Sequence, residues 1–101
     1  MTTVPTDIEA RRVIKFLNRG GLLDEKLSGN RNECEINKKD LQGISKHTVT
    51  LDVVYDGLKF LLENAGYDNF GHNGFSKSSK SVVLEGEAYR MARERYSLLK
   101  D

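Results

Sequence analysis

Thr48-Val49-Thr50-Leu51-Asp52-Val53-Val54-Tyr55-Asp56-Gly57-Leu58-Lys59-Phe60-Leu61-Leu62-Glu63-Asn64-Ala65-Gly66 is the stretch on which the fold turns, because two local structures fit it. As a strand pair, Val49, Leu51, Val53 and Tyr55 alternate with polar positions up to Asp56-Gly57, a two-residue hairpin signal, and Leu58 to Leu62 return. As a helix, Leu51, Val54, Leu58, Leu61 and Ala65 recur at intervals of three and four, with Thr48 or Thr50 as cap and Asn64-Ala65-Gly66 as terminator. The second arm of the hairpin, Leu58-Lys59-Phe60-Leu61-Leu62-Glu63, loses alternation at once, whereas the helical stripe persists to Ala65. The stripe therefore predicts a helix, in which Gly57 costs about 1 kcal/mol relative to Ala.

Upstream, Cys34 and Ile36 alternate with Glu33, Glu35 and Asn37, which suits a very short strand, and Asn37 can cap a short helix through Lys38 to Gln42 that Gly43 ends. Leu22, Leu23 and Leu27 form an apolar cluster before a turn at Ser28-Gly29-Asn30-Arg31-Asn32. Thr6-Asp7-Ile8-Glu9 matches a capping box, and the spacing of Ala10, Val13, Ile14 and Leu17 predicts a helix from Asp7 to Arg19, stopped by Gly20-Gly21. Downstream, Tyr67 to Ser81 is rich in Gly, Asn and Ser and reads as a polar, hairpin-like excursion. Ser81-Val82-Val83-Leu84 follows as a short strand, and Glu87 to Lys100 as a helix with acids at the positive end of its dipole.

At 101 residues the chain is one domain's length, 1–101, with residues 1–5 expected to be a flexible N-terminus. Sixteen basic residues against fifteen acidic ones leave a net charge of +1, so any interaction with a polyanion must come from where the charges lie. A single cysteine excludes an internal disulfide, and with only two histidines beside it no zinc-ligand spacing can be assembled. Cofactors are expected to be none, and a reducing cytoplasm is the expected home. The N-terminus shows no apolar run, so neither a signal peptide nor a spanning helix is expected, and no membrane is an expected partner.

The order helix, extended piece, short helix, turn, longer helix, polar hairpin, strand, helix resembles a winged helix-turn-helix domain. Lys39-Asp40-Leu41-Gln42-Gly43-Ile44-Ser45-Lys46-His47-Thr48-Val49 looks like its second helix, its turn and the start of its recognition helix, with Ile44 as the apolar turn residue and Ser45 as the cap. The resemblance covers roughly residues 33–89. It implies a mainly α (α+β) fold of three to four helices with a small β-hairpin wing.

It also implies duplex DNA as partner. Ser45, Lys46, His47, Thr48 and Thr50 would meet base edges at the helix start, Lys38 and Lys39 would lie beside them, and Asn73, Ser76, Lys77, Ser78 and Lys80 would follow the backbone. Charge placement is in keeping with this: residues 38–51 hold three lysines against Asp40, and residues 69–84 hold two lysines and no acid. The exposed face of the longer helix carries Asp52, Asp56 and Glu63 beside Lys59, which would repel phosphate if that helix lay deep in a groove. So few cations imply weak binding by one copy, hence a homodimer and a palindromic site, in a small transcription regulator.

The stripe Tyr89, Ala92, Tyr96 and Leu99 reads as core or as the dimer interface. In a competing class, a non-enzymatic inhibitor or adaptor, Tyr67, Phe70 and Phe75 would be exposed anchors for a protein partner. No enzyme is expected. Ser76 lacks the following glycine of a nucleophile elbow, His72-Asn73 has no acidic metal cluster, and Asp52 with Asp56 reads as a solvated pair. Glu33 and Glu35 flank Cys34 and disfavour its thiolate.

Overall fold

A computed structural model describes residues 6–18, 21–28, 31–42, 49–68, 70 and 74–100. Helix α1 (Asp7–Leu17) opens on the expected capping box: the Glu9 amide donates to Thr6 Oγ1 at 3.2 Å and the Thr6 amide donates to Glu9 Oε1 at 3.1 Å. It ends with Asn18 as C-cap, just short of Arg19. Leu22–Lys26 is a second helix, α2, where the sequence showed only an apolar cluster. Five residues are too few for a period to register, yet Leu22, Leu23 and Leu27 are all buried.

Strand β1 (Glu33–Asn37) buries Cys34 and Ile36 as its alternation predicts. Helix α3 (Lys38–Leu41) follows directly, capped by Asn37 in a reciprocal pair: the Asp40 amide donates to Asn37 Oδ1 at 3.0 Å and the Asn37 amide to Asp40 Oδ2 at 2.9 Å. Helix α4 (Leu51–Asn64) settles the ambiguous stretch as a rod whose apolar stripe, Leu51, Val54, Leu58 and Leu61, is buried together with Leu62. Strands β2 (Phe75–Lys77) and β3 (Ser81–Glu85) form the hairpin, and α5 (Gly86–Leu99) closes the described chain.

The three strands make one antiparallel sheet in the order β1-β3-β2, with Cys34 opposite Leu84 and Ile36 opposite Val82 on one side, and Phe75 opposite Leu84 on the other. Against it pack α1, α4 and α5 around a core centred on Ala10, Leu23, Val54, Leu58, Leu62, Leu84 and Ala92, all fully buried. This is a small α+β domain with five helices among the described residues, compatible with the expected mainly α class.

Two alternatives that the sequence leaves open are decided here. The helix does not begin near Ser45: Thr50 is extended at φ −116°, ψ 171°, and its Oγ1 accepts from the Val53 amide at 3.2 Å, so the cap lies at Thr50 and Val49 is a buried residue ahead of the helix. The stripe Tyr89, Ala92, Tyr96 and Leu99 is no interface seam, because all four are at most 3% exposed within this one chain. Each buried hydroxyl finds an internal acceptor: Tyr89 donates to the Lys26 carbonyl at 3.0 Å, and Tyr96 donates to the Asp24 carboxylate.

Candidate nucleic-acid interface

Of the residues the sequence nominates for DNA, Ser45, Lys46, His47, Thr48 and Asn73 lie outside the described residues, as do Ile44 and His72. The others fall on α3, the start of α4 and the hairpin. Those three segments share one cleft of about 490 Å³, lined by Lys38, Leu41, Gln42, Val49, Thr50, Leu51, Asp52, Ser78 and Ser79. Lys38, Thr50 and Ser78, nominated from separate parts of the chain, thus face a common space.

The hairpin's shape follows from its own residues. The Ser78 amide donates to the Ser81 carbonyl at 2.8 Å, and Ser78 Oγ accepts from the Lys80 and Ser81 amides, both at 3.2 Å. That hydroxyl takes the place of a backbone acceptor and tightens the turn at residues 78–81. At the other end of the hairpin, the Glu85 amide donates to the Gly74 carbonyl at 2.7 Å. Gly74 has φ +133°, and a Cβ there would stand 3.1 Å from the Glu85 carbonyl oxygen, so only glycine suits the position.

The aromatics expected as exposed anchors join a ring cluster that pins this hairpin to α4. Tyr55 stacks on Phe75 with ring centroids 4.5 Å apart, Phe70 meets Phe75 edge-on at 6.0 Å, and Tyr67 meets Phe70 edge-on at 5.1 Å. Phe75 and Tyr67 are buried and Phe70 is half-buried, so the three expected protein-binding anchors are packing residues instead.

The lysines differ in what they have to offer. Lys77 is held by Asp52 and lies 5.4 Å from the Tyr55 ring centroid; the hydrogen bond from its ammonium to Asp52 raises its pKa. Lys80 on the turn, and Lys38 and Lys39 on α3, are exposed and form no ion pair among the described residues. Asp40, the one acid set against the α3 lysines, is already engaged by Lys26 at 3.2 Å, with both side chains mostly buried. The α3 zone is therefore more positive than the sequence count implies. Asp52 and Asp56 face solvent on α4, so negative charge sits beside this zone as expected.

Cys34 is buried, and loss of hydration pushes its thiol up to about 11. Burial, rather than the flanking glutamates, is the cause; Lys26 and Arg31 pull weakly the other way. Among the described residues no group of three or more His, Cys, Asp or Glu side chains could hold a metal ion, and no helix is long and apolar enough to cross a membrane.

No family model matches the chain, and comparison with curated proteins and with solved structures finds no match either.

Proposed function

We propose that this protein binds duplex DNA through the surface formed by α3, the start of α4 and the β2–β3 hairpin, in the manner of a winged helix-turn-helix domain, as a small regulator of transcription or of another DNA transaction. The observation that carries this reading is the shared cleft: Lys38 and Gln42 of α3, Thr50 at the helix start and Ser78 of the turn line one space. The element order supports it too, α2 being the one addition to the predicted series.

The chemistry divides by segment. Lys38, Lys39 and Lys80 neutralise phosphates and supply a salt-dependent affinity, Thr50 and Ser76 offer hydroxyls to phosphate or sugar oxygens, and Ser78, its hydroxyl engaged within the turn, shapes the hairpin. Asp52 restrains Lys77 and keeps the flank of α4 off the backbone. With few free cations one copy binds weakly, and a twofold pair on a palindromic site remains part of the proposal. Such a pair meets through some surface other than the buried α5 stripe.

Fluorescence anisotropy with a labelled mixed-sequence duplex, at low and at moderate salt, tests this. Lys38→Glu combined with Lys80→Glu is expected to weaken binding by about tenfold or more at low salt and to flatten the salt dependence. Absence of binding by the parent protein to any duplex at low salt, or identical binding by the double variant, would overturn it.

A further inference from the structure

The segment Ser76-Lys77-Ser78-Ser79-Lys80-Ser81 forms the end of the hairpin, and its four hydroxyls are used differently. Ser81 is buried and donates from Oγ to Glu35 Oε2 at 3.0 Å. Ser78 Oγ accepts from the Lys80 and Ser81 amides and so holds the turn. Ser76 and Ser79 are exposed, and neither hydroxyl forms a hydrogen bond among the described residues. Of these two, Ser79 stands at the tip, with Lys77 two residues before it and Lys80 directly after it, whereas Ser76 follows Gly74-Phe75. Ser79 also lines the cleft together with Lys38 of α3.

A phosphate placed at Ser79 would meet a nearly balanced surface. Lys77 is matched by Asp52 and Lys26 by Asp40, while Lys38, Lys39 and Lys80 form no ion pair among the described residues. Against those three lysines stand Glu35, bonded to Ser81, and Asp56, one turn along α4 from Asp52. Three cations against two acids leave about one positive charge, and a phosphoserine brings roughly −1.5 to −2 at neutral pH, so the surface changes sign.

We propose that Ser79 is a phosphorylation site for a serine kinase that selects basic residues around its target, and that the modification switches off duplex binding; the switch rests on the DNA reading, the site does not. In the transfer, Ser79 Oγ attacks the γ-phosphorus of ATP. The new O–P bond forms as the bond from that phosphorus to the bridging oxygen breaks, the electron pair leaves with ADP, and the hydroxyl proton passes to the kinase's base. Strand β2 is three residues long and pairs only with β3, so this end of the hairpin opens for a kinase far more readily than the core unfolds. Once attached, the phosphate shares the cleft with Lys38 and adjoins Lys80, and two ammonium groups that would neutralise DNA phosphates are paired within the fold instead. The turn survives, because it makes no use of the Ser79 hydroxyl; the same group on Ser78 would take away the acceptor of two amides.

The folded protein, incubated with ATP and a kinase directed to basic sequences and mapped by mass spectrometry, should carry its phosphate at Ser79, and Ser79→Ala should lose it. No phosphate on the hairpin, or phosphate mainly at Ser76, Ser78 or Ser81, would overturn the site. Protein with phosphoserine incorporated at residue 79 should keep the parent's urea midpoint, and by phosphorus NMR its phosphate should titrate at lower pH than the same group in a short peptide, since nearby ammonium groups favour the dianion. Lys38→Gln with Lys80→Gln should bring that titration back; a titration equal to the peptide's in the parent background would overturn the pairing. Anisotropy with the labelled duplex at low salt should show binding weakened by about tenfold or more in the phosphorylated protein. Equal binding by the two forms would overturn the switch. If the unmodified protein binds no duplex, the DNA reading and the switch fall together, and the mapping and titration still decide the site.

Discussion

The hairpin face and the face at the C-terminal ends of α1 and α5 carry lysines and arginines in similar supply and use them differently. On the hairpin face the charges are partly consumed within the fold: Asp52 holds Lys77, and Asp40 is shared between the Asn37 cap and Lys26. At the C-terminal ends of α1 and α5 the exposed Asp24 accepts from the buried Tyr96 hydroxyl and Glu94 lies 3.9 Å from Arg90, while Arg11, Lys15 and Lys100 form no ion pair among the described residues. A count of charges along the chain is thus a poor guide to the charge available at a surface. What matters is which acid each cation can reach, and that is set by packing of elements far apart in sequence: Lys77 lies 25 residues from Asp52, and Tyr96 lies 72 from Asp24.

The largest effect is expected from removing the support common to the domain. Leu58→Ala empties a fully buried position on α4 and should destabilise the fold by about 2–5 kcal/mol, read as a lower urea midpoint. Both faces should then fail together on heating; survival of one without the other would show that they belong to separate folding units.

The Asp24–Tyr96 contact comes next. Asp24→Ala leaves a buried hydroxyl without its acceptor and should cost about 1–2 kcal/mol, more than Tyr96→Phe, which removes the donor and lets an exposed carboxylate hydrate. The same pair gives a pH signature. Its hydrogen bond with Tyr96, then that with Asn18, lowers the Asp24 pKa in the fold. A depressed folded pKa means that this contribution is complete above the unfolded value near 4 and is lost as pH falls through the folded value. Urea midpoints taken from about pH 5 downward should therefore fall less steeply in Tyr96→Phe than in the parent protein.

The smallest effect belongs to the exposed pair on the hairpin. Asp52→Asn should leave the urea midpoint unchanged, since exposed ion pairs contribute little, and should strengthen duplex binding by about two- to threefold by freeing Lys77. Unchanged duplex binding would place Lys77 outside the DNA-facing surface.

The helical elements were legible because their signals are local. Thr6 with Glu9 and the α4 stripe are read within a turn or two, and the alternation of Cys34 and Ile36 fixed which face of β1 is inward. For the start of α4 the stripe offered Thr48 or Thr50 and the resemblance Ser45; all are competent caps, and the extended backbone at Thr50 with its bond from the Val53 amide selects Thr50. Tyr67, Phe70 and Phe75 looked exposed because their neighbours are polar; they pack on one another, and Tyr55, on which Phe75 stacks, stands on α4 where no local pattern names it. The stripe on α5 could be core or interface by spacing alone, and it became core once α2, invisible to periodicity, supplied acceptors for Tyr89 and Tyr96.

The sequence by itself determined that a helix, not a hairpin, spans most of Thr48 to Gly66, since spacing at three and four residues buries one side of a rod whatever lies against it. Tertiary structure alone decided why a glycine is kept within that rod: a Cβ at Gly57 would stand 2.5 Å from Leu17 Cδ1 and 3.2 Å from Val13 Cγ1. The roughly 1 kcal/mol lost in helix propensity lets α1 lie close against α4. Propensity is a property of neighbouring residues, whereas close approach is a property of two helices, and only the folded chain brings the second one near.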